Sequence, residues 1–274
     1  MAAHDVIVHL YGLSELRTRP SQTNVLWNIS HPSRVDAELC AGYDLVLTAS
    51  ESFADQLRGM TSVPVHALHQ ATDPDRFRPE AGGPNHQLLF VGNSRKTRRR
   101  ILHDLLPTTH DLAVYGRDWT ADLVDLRHVR GELVPNHDLH RYYAAADIVL
   151  NDHWDDMRQH GFLSNRLYDA LAAGAFVVSD HVTGIEEEFD DGVVTYRSRD
   201  DLHAIIDRYL RDPEARREVA TRGRAAVLAR HTFGARVAEL LAVLRPVLAG
   251  RARTVTALPG PQACRSTTSH RSAS

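Results

Sequence analysis

The sequence predicts an α/β protein built on two parallel sheets, and three observations carry that expectation. Short β-like apolar runs alternate with stretches of helical periodicity along most of the 274 residues, the pattern of parallel sheets flanked by helices. A Pro- and Gly-rich segment, HQATDPDRFRPEAGGPNHQ, interrupts the alternation and reads as a linker over residues 74–86. Residues 160–180, HGFLSNRLYDALAAGAFVVSD, pass through loop, helix, glycine stop and apolar strand in immediate succession.

In the first unit, residues 1–80, β-like runs cover 5–10, 25–29, 45–48 and 65–68, with a helix over 51–58. A typical domain occupies roughly 100–150 residues, so this unit is expected to be incomplete. The second unit, residues 85–247, opens a new series with strands over 88–92, 112–115, 148–151, 176–179 and 193–196. Helices between them are marked by Leu139, Tyr142, Tyr143 and Ala146, by Leu202, Ile205, Ile206 and Tyr209, and by Val237, Leu240, Leu241 and Leu244, each set at helical spacing. Residues 248–274 are rich in Ser, Thr, Arg, Ala and Pro and are expected to form a disordered tail.

The helix in 160–180 has the clearest polar chemistry. Leu163, Leu167, Ala170, Leu171 and Gly174 share one face, while Asn165 and Asp169 lie one turn apart on another. Gly174 stops the helix, and Phe176, Val177 and Val178 follow as a strand covered on both faces. Arg166 in the first turn, beside free backbone N–H groups, suits a phosphate, and Asp169 suits sugar hydroxyls. The same i, i+3 spacing also makes a solvated surface ion pair.

A second phosphate candidate is VGNSRKTRRR over residues 91–100, where a strand runs into Gly92 and then into a basic helix. Backbone approach at Gly92 with the cations of Arg95 and Lys96 suits a diphosphate. Ile101, Leu102 and Leu105 give this helix a core side, so a solvated charged face is the alternative. Arg98, Arg99 and Arg100 have no aromatic platform or nucleic-acid motif beside them.

A net charge of −3 argues against bulk nucleic-acid binding. No apolar stretch approaches the roughly 20 residues of a membrane span, and the opening MAAHDVIVHL has no secretory pattern, so a cytoplasmic location is expected. Cys40 and Cys264 suggest neither a disulfide framework nor a metal site. Among 17 histidines, His31, His153 and His160 stand at strand ends or a helix start, where α/β sheets bind ligands. Each is a candidate base for deprotonating a hydroxyl, with an ordinary structural role open beside it. Asp152, His153, Asp155, Asp156 and His160 cluster without a recognised ligand motif; no metal and no cofactor is expected.

From Phe90 to the helix ending near Leu244 these motifs resemble the nucleotide-binding C-terminal domain of group-1 glycosyltransferases, and most of all the CgeB/YkvP-type spore-protein glycosyltransferase-like family. The resemblance rests on FVGN at residues 90–93, then NRLYDALAAG at 165–174 in the place of N-R-x-(F/Y)-(E/D)-A-x-A-x-G. It implies a GT-B-like fold of two Rossmann-like parallel-sheet domains, the first one incomplete. It places Asn165 and Arg166 at the diphosphate of a nucleotide-sugar donor, beside Gly92, Asn93, Arg95 and Lys96. Asp169 would take the ribose hydroxyls, and Gly131 and Glu132 in the strand-end turn VRGEL, residues 129–133, would take the base. Asp169 stands where Glu is usual, and His160 stands near where the first acidic residue of the E-x7-E motif is expected. WNISHP at 27–32, YDLVLTAS at 43–50 and ATDPDRFRP at 71–79 are similar to the later half of the acceptor-side domain, whose earlier half is expected to be missing. The implied function is sugar transfer from a nucleoside diphosphate sugar to an acceptor. A sugar-nucleotide-binding or spore-coat structural protein without catalysis is the alternative, and a nucleotide-sugar epimerase the next.

Overall fold

The computed structural model describes residues 5–12 and 16–256, with side chains up to residue 250. Four parallel strands form the first sheet: β1 (Val6–Tyr11), β2 (Thr23–Asn28), β3 (Leu45–Thr48) and β4 (Val65–Ala67), paired in that order. Helices α1 (Ala37–Ala41) and α2 (Glu51–Arg58) accompany them. In β2 and β3 nearly every residue is buried, because both faces of the sheet are covered. Leu26 and Val46 meet Phe53, Ala54 and Leu57 of α2 on one face. The Ser50 hydroxyl caps α2 by accepting the Phe53 N–H at 3.2 Å.

The second sheet contains β5 (Leu88–Val91), β6 (Leu112–Tyr115), β7 (Val129–Gly131), β8 (Ile148–Asn151), β9 (Val177–Asp180) and β10 (Val193–Tyr196). Its order is β10-β9-β8-β5-β6-β7, all parallel. The chain winds outward from β5 in one direction and then from β8 in the other, so the topological switch point lies between β5 and β8. Around it are α3 (Arg100–Leu105), α4 (Leu139–Ala145), α5 (Asp155–Gln159), α6 (Asn165–Ala172), α7 (Ile185–Glu188), α8 (Arg199–Arg211), α9 (Pro213–Arg230) and α10 (Phe233–Thr256). One core joins α6 to β8 and β9 through Leu167, Leu171, Val149 and Val177. The opposite core packs α3 and α8 through Ile101, Leu105, Leu202 and Ile206. Gly174 ends α6 at φ 81°, a conformation that costs glycine no Cβ clash.

Three expectations are corrected. The VRGEL segment, read as a turn, begins with an edge strand, β7. The basic helix after Gly92 starts only at Arg100, because Arg95 and Lys96 stand at φ 55° and 60° and the Ser94 hydroxyl accepts the Lys96 N–H at 3.0 Å. Such local serine bonds compete with helix. The tail expected from residue 248 is helical to Thr256 as part of α10; residues 257–274 lie outside the described residues.

The helix α10, expected in the second unit, lies instead on the free face of the first sheet, where Leu240, Val243, Leu244 and Val247 meet Val25, Leu45, Leu47 and Leu68. The segment that leads into the linker is tied down as well. Thr72 bridges to Thr232, and the Gln70 side-chain amide donates to the carbonyls of Leu163 (2.7 Å) and Ile29 (3.3 Å). Ser50 donates to the His160 carbonyl at 2.5 Å, joining the loop before α2 to the loop before α6. Among the described residues no helix is long and apolar enough to cross a membrane.

Candidate active site

Open α/β sheets hold ligands at the carboxyl ends of strands beside the switch point. Here those ends are Val91–Gly92 after β5 and Asn151–Asp152 after β8. Arg166, the second residue of α6, turns its side chain back over them. Its Nε donates to the Val91 carbonyl at 3.0 Å and its Nη1 to Asn151 Oδ1 at 2.7 Å. The guanidinium lies 4.9 Å from the Phe90 ring centre. A Cβ on residue 92 would come within 2.7 Å of Arg166 Nη2 and 3.1 Å of the Phe90 ring, so glycine lets the guanidinium reach the strand end. Burial presses the Arg166 pKa down, with Arg99 adding to the effect and Tyr143 opposing it; an arginine nonetheless stays charged.

Two more guanidiniums join it. Arg99 ion-pairs with the buried Asp152, its Nε donating at 3.1 Å, and its Nη1 donates to the Asn93 carbonyl at 2.9 Å. It also lies over Phe90 (5.0 Å) and Trp154 (5.8 Å). Arg95 stacks on the other ring, 4.6 Å from the Trp154 centre. Its pKa is lowered by burial and then by Arg99 and Arg166, against a smaller pull from Asp152. Three guanidiniums thus share one carboxylate. That excess of positive charge over two aromatic faces is a ready site for a polyanion.

The residues expected from sequence divide into groups. Gly92, Arg95 and Arg166 come together with Arg99 at the switch point. Asn93 lends that cluster its carbonyl, and its Oδ1 accepts the Arg117 N–H at 2.8 Å. Lys96 is exposed beside it. Asn165 and Asp169 form a separate pair: Asn165 Nδ2 donates to Asp169 Oδ2 at 2.8 Å, and the Thr72 hydroxyl donates to Oδ1 at 2.7 Å. Both carboxylate oxygens are therefore held within the chain, and no Arg166–Asp169 surface pair is among the ion pairs. Burial raises the Asp169 pKa to about 7 despite those two donors. Gly131 and Glu132 lie on the β7 rim, with the Gly131 carbonyl accepting the Gly116 N–H at 2.9 Å and Glu132 exposed.

The three histidines separate in the same way. His31, after β2, stands with its ring 5.9 Å from that of Trp154 and is the one that faces the arginine cluster from the first unit. Burial lowers its pKa, and Arg34 and Arg95 add to this against Asp156, 3.9 Å away; the imidazole is neutral near pH 7. His153 is a correction: its side chain is fully buried with Nδ1 2.7 Å from Asp180 Oδ1, and its Nε2 is sealed from solvent. His160 is another, since its ring packs 5.0 Å from Phe53 and its Nδ1 lies 3.2 Å from Gln56 Oε1. It links the units rather than facing the cleft cluster.

The imagined metal cluster is dispersed. Asp152 serves Arg99, His153 serves Asp180, and Asp156 accepts the Ser33 hydroxyl at 2.9 Å. Among the described residues no group of three or more His, Cys, Asp or Glu could hold a metal ion. Arg99, Asp152 and Trp154 are the site residues that sequence reasoning missed as such. The signal for Arg99 was present in the Arg98–Arg100 run, yet nothing in that run says which guanidinium turns inward.

Residues 95–242 match a family model described as glycosyl transferase-like. No curated protein matches the chain. Among solved structures, sucrose-phosphate synthase from Thermosynechococcus elongatus is similar at a TM-score of 0.64 and 17% identity, over 84% of this chain and 69% of that one. The Anabaena protein Alr3699/HepE, solved in complex with UDP and glucose, gives 0.60 and 14%, over 86% and 72%. AviGT4, a glycosyltransferase involved in avilamycin A biosynthesis, gives 0.57 and 18%, over 91% and 75%. At these identities the likeness is one of fold, and the fold is that of the GT-B glycosyltransferases.

Proposed function

Because the chain belongs to the glycosyl transferase-like family, we propose that it transfers a sugar from a nucleoside diphosphate donor to an acceptor hydroxyl, with the diphosphate at Arg95, Arg99 and Arg166. The observation that carries this reading is the cluster of three guanidiniums with one carboxylate at the β5/β8 switch point. Charge develops on the diphosphate as the glycosidic bond breaks. Fixed cations in a partly dry cleft stabilise it most at that moment, by roughly 3–4 kcal/mol per well-placed donor. The helix dipole of α6 acts in the same direction.

In this reading the Asn165 amide, steadied by Asp169, meets the ribose, and the backbone rim at Gly131 and Glu132 meets the base. His31, neutral and across the cleft from the cluster, accepts the acceptor's proton. The finer assignment to the CgeB/YkvP-type branch rests on FVGN and NRLYDALAAG. The Anabaena neighbour's UDP and glucose make UDP the first nucleotide to try. Calorimetric titration with UDP, GDP, TDP and ADP tests the donor site. One of them binds, and Arg95→Ala, an exposed position, weakens that binding about tenfold. Equal affinity in the variant removes the diphosphate from the cluster.

One observation favours a second reading, sugar-nucleotide binding without transfer. The position expected to be acidic is His160, which carries no carboxylate and whose ring lies 5.0 Å from that of Phe53. That reading predicts donor binding with no turnover on any acceptor.

A further inference from the structure

Past the switch point, the row of strand ends continues to β9 and β10, where a cavity of about 180 Å³ opens between Arg100, Arg158, Asp180, His181, Tyr196 and Arg197. Its three guanidiniums come from three separate places: the first residue of α3, the last turn of α5 and the loop after β10. Their neutralisation is poor. Arg100 reaches Asp104 only at 3.7 Å. Arg158 contacts Asp155 through Nη2 at 3.2 Å, but that carboxylate is 82% exposed. The Arg158 Nε is buried and has no hydrogen-bond partner. Arg197 donates its backbone N–H to Asp201 at 2.9 Å, and its guanidinium has no ion pair among the described residues.

The carboxylate in the wall is turned to other partners. Asp180 Oδ1 lies 2.7 Å from His153 Nδ1 and accepts from the Ser179 hydroxyl at 3.2 Å, while its Oδ2 accepts the His153 N–H at 3.3 Å. His181 is turned to Glu186 at 3.2 Å, and the Tyr196 hydroxyl donates to Asp104 at 3.2 Å. A buried guanidinium N–H without an acceptor is costly, and convergent arginines are suited to oxyanions.

We propose that this cavity is an oxyanion site, distinct from the switch-point cluster, that takes a single phosphate or carboxylate group. The size agrees: drug-sized ligands need pockets of roughly 300–1,000 Å³, so this one holds a charged group and not a nucleoside. The β9 strand end, with its buried His153–Asp180 pair, stands between the two sites. The assignment holds whether or not a sugar nucleotide occupies the first cluster.

Inorganic phosphate is the probe, titrated calorimetrically into the wild type, Arg158→Gln, Arg197→Gln and Arg95→Ala. Each of the first two variants weakens phosphate binding about tenfold, the loss of one charge-assisted contact, while Arg95→Ala affects only phosphate held at the switch-point cluster. Arg197 is exposed, so its variant folds even if Arg158→Gln does not. Binding lost only in Arg95→Ala, or no binding by wild type at millimolar phosphate, overturns the proposal. A phosphorylated sugar that displaces phosphate and binds more tightly than it, with an advantage lost in Arg197→Gln, identifies the anion as part of a substrate. Equal affinity for the two identifies a site for the free anion.

Discussion

The loops at the strand ends of the two sheets meet each other, yet they carry different chemistry. After β5 and β8 the second sheet presents Arg95, Arg99 and Arg166 around Asp152. After β2 the first sheet presents His31 and Ser30, with Asn28 Nδ2 donating to the Ser30 carbonyl at 2.7 Å. A polyanion is drawn to one side of the cleft only. The other side offers neutral polar groups and an imidazole whose proton affinity is lowered by burial, by Arg34 beside it and by Arg95 opposite, against Asp156. The contrast separates leaving-group stabilisation from proton acceptance, and each can be broken alone.

The largest effect is expected from His31→Asn. The residue stands at φ 52°, which asparagine tolerates, so the turn survives while the base is lost. Turnover falls by about 10²–10⁴-fold with nucleotide affinity unchanged by calorimetry; unchanged turnover would end the neutral-rim reading. Next is Gly92→Ala, whose Cβ pushes on the Arg166 Nη2 and the Phe90 ring. Nucleotide affinity drops by about tenfold or more and thermal unfolding moves lower, without any charge having been removed. If the variant binds normally, the cluster does not depend on the position of Arg166.

The smallest effect belongs to Asp169→Asn, which lies outside the contrast and sharpens it by showing what a buried acid bonded to Thr72 does. With a folded pKa of about 7 against about 3.9 unfolded, the native state binds more protons between these values. Wild-type stability therefore declines as pH rises from about 4 to 7, by about 1–2 kcal/mol after allowance for partial solvation. The asparagine variant lacks that decline. Urea unfolding at pH 5 and pH 8 compares the two slopes, and parallel curves would show that Asp169 is an ordinary solvated carboxylate.

The sequence made some of this legible and hid the rest for identifiable reasons. Leu167, Ala170 and Leu171 at helical spacing before Gly174 and an apolar run could hardly form anything but α6, its stop and β9, because periodicity is a local property. Gly92 and Arg166 were likewise named in advance. The ion pair of Arg99 with Asp152 spans 53 positions and the Thr72–Asp169 bond spans 97, distances over which no local pattern reports. Asp169 was read as a ligand for sugar hydroxyls from its place on the helix, and its bond to the Thr72 hydroxyl, in the motif at 71–79, is a tertiary fact. His153 and His160 stood at strand and helix ends as active-site bases do, but burial against Asp180 and Phe53 is a tertiary fact. The serine at 94 did carry a usable local signal against a helix, overshadowed by the basic run that follows it.

The position of α10 reaches into how the protein is made. Leu240, Leu244 and Val247 cover a face of a sheet whose strands lie within residues 6–67. During synthesis that face waits, bare and apolar, while some 170 further residues leave the ribosome, about 10–30 s at the 5–20 residues per second of translation. The second sheet and its helices are complete by α9 and can fold first. Strands made before the second sheet are thus enclosed on this face only after it.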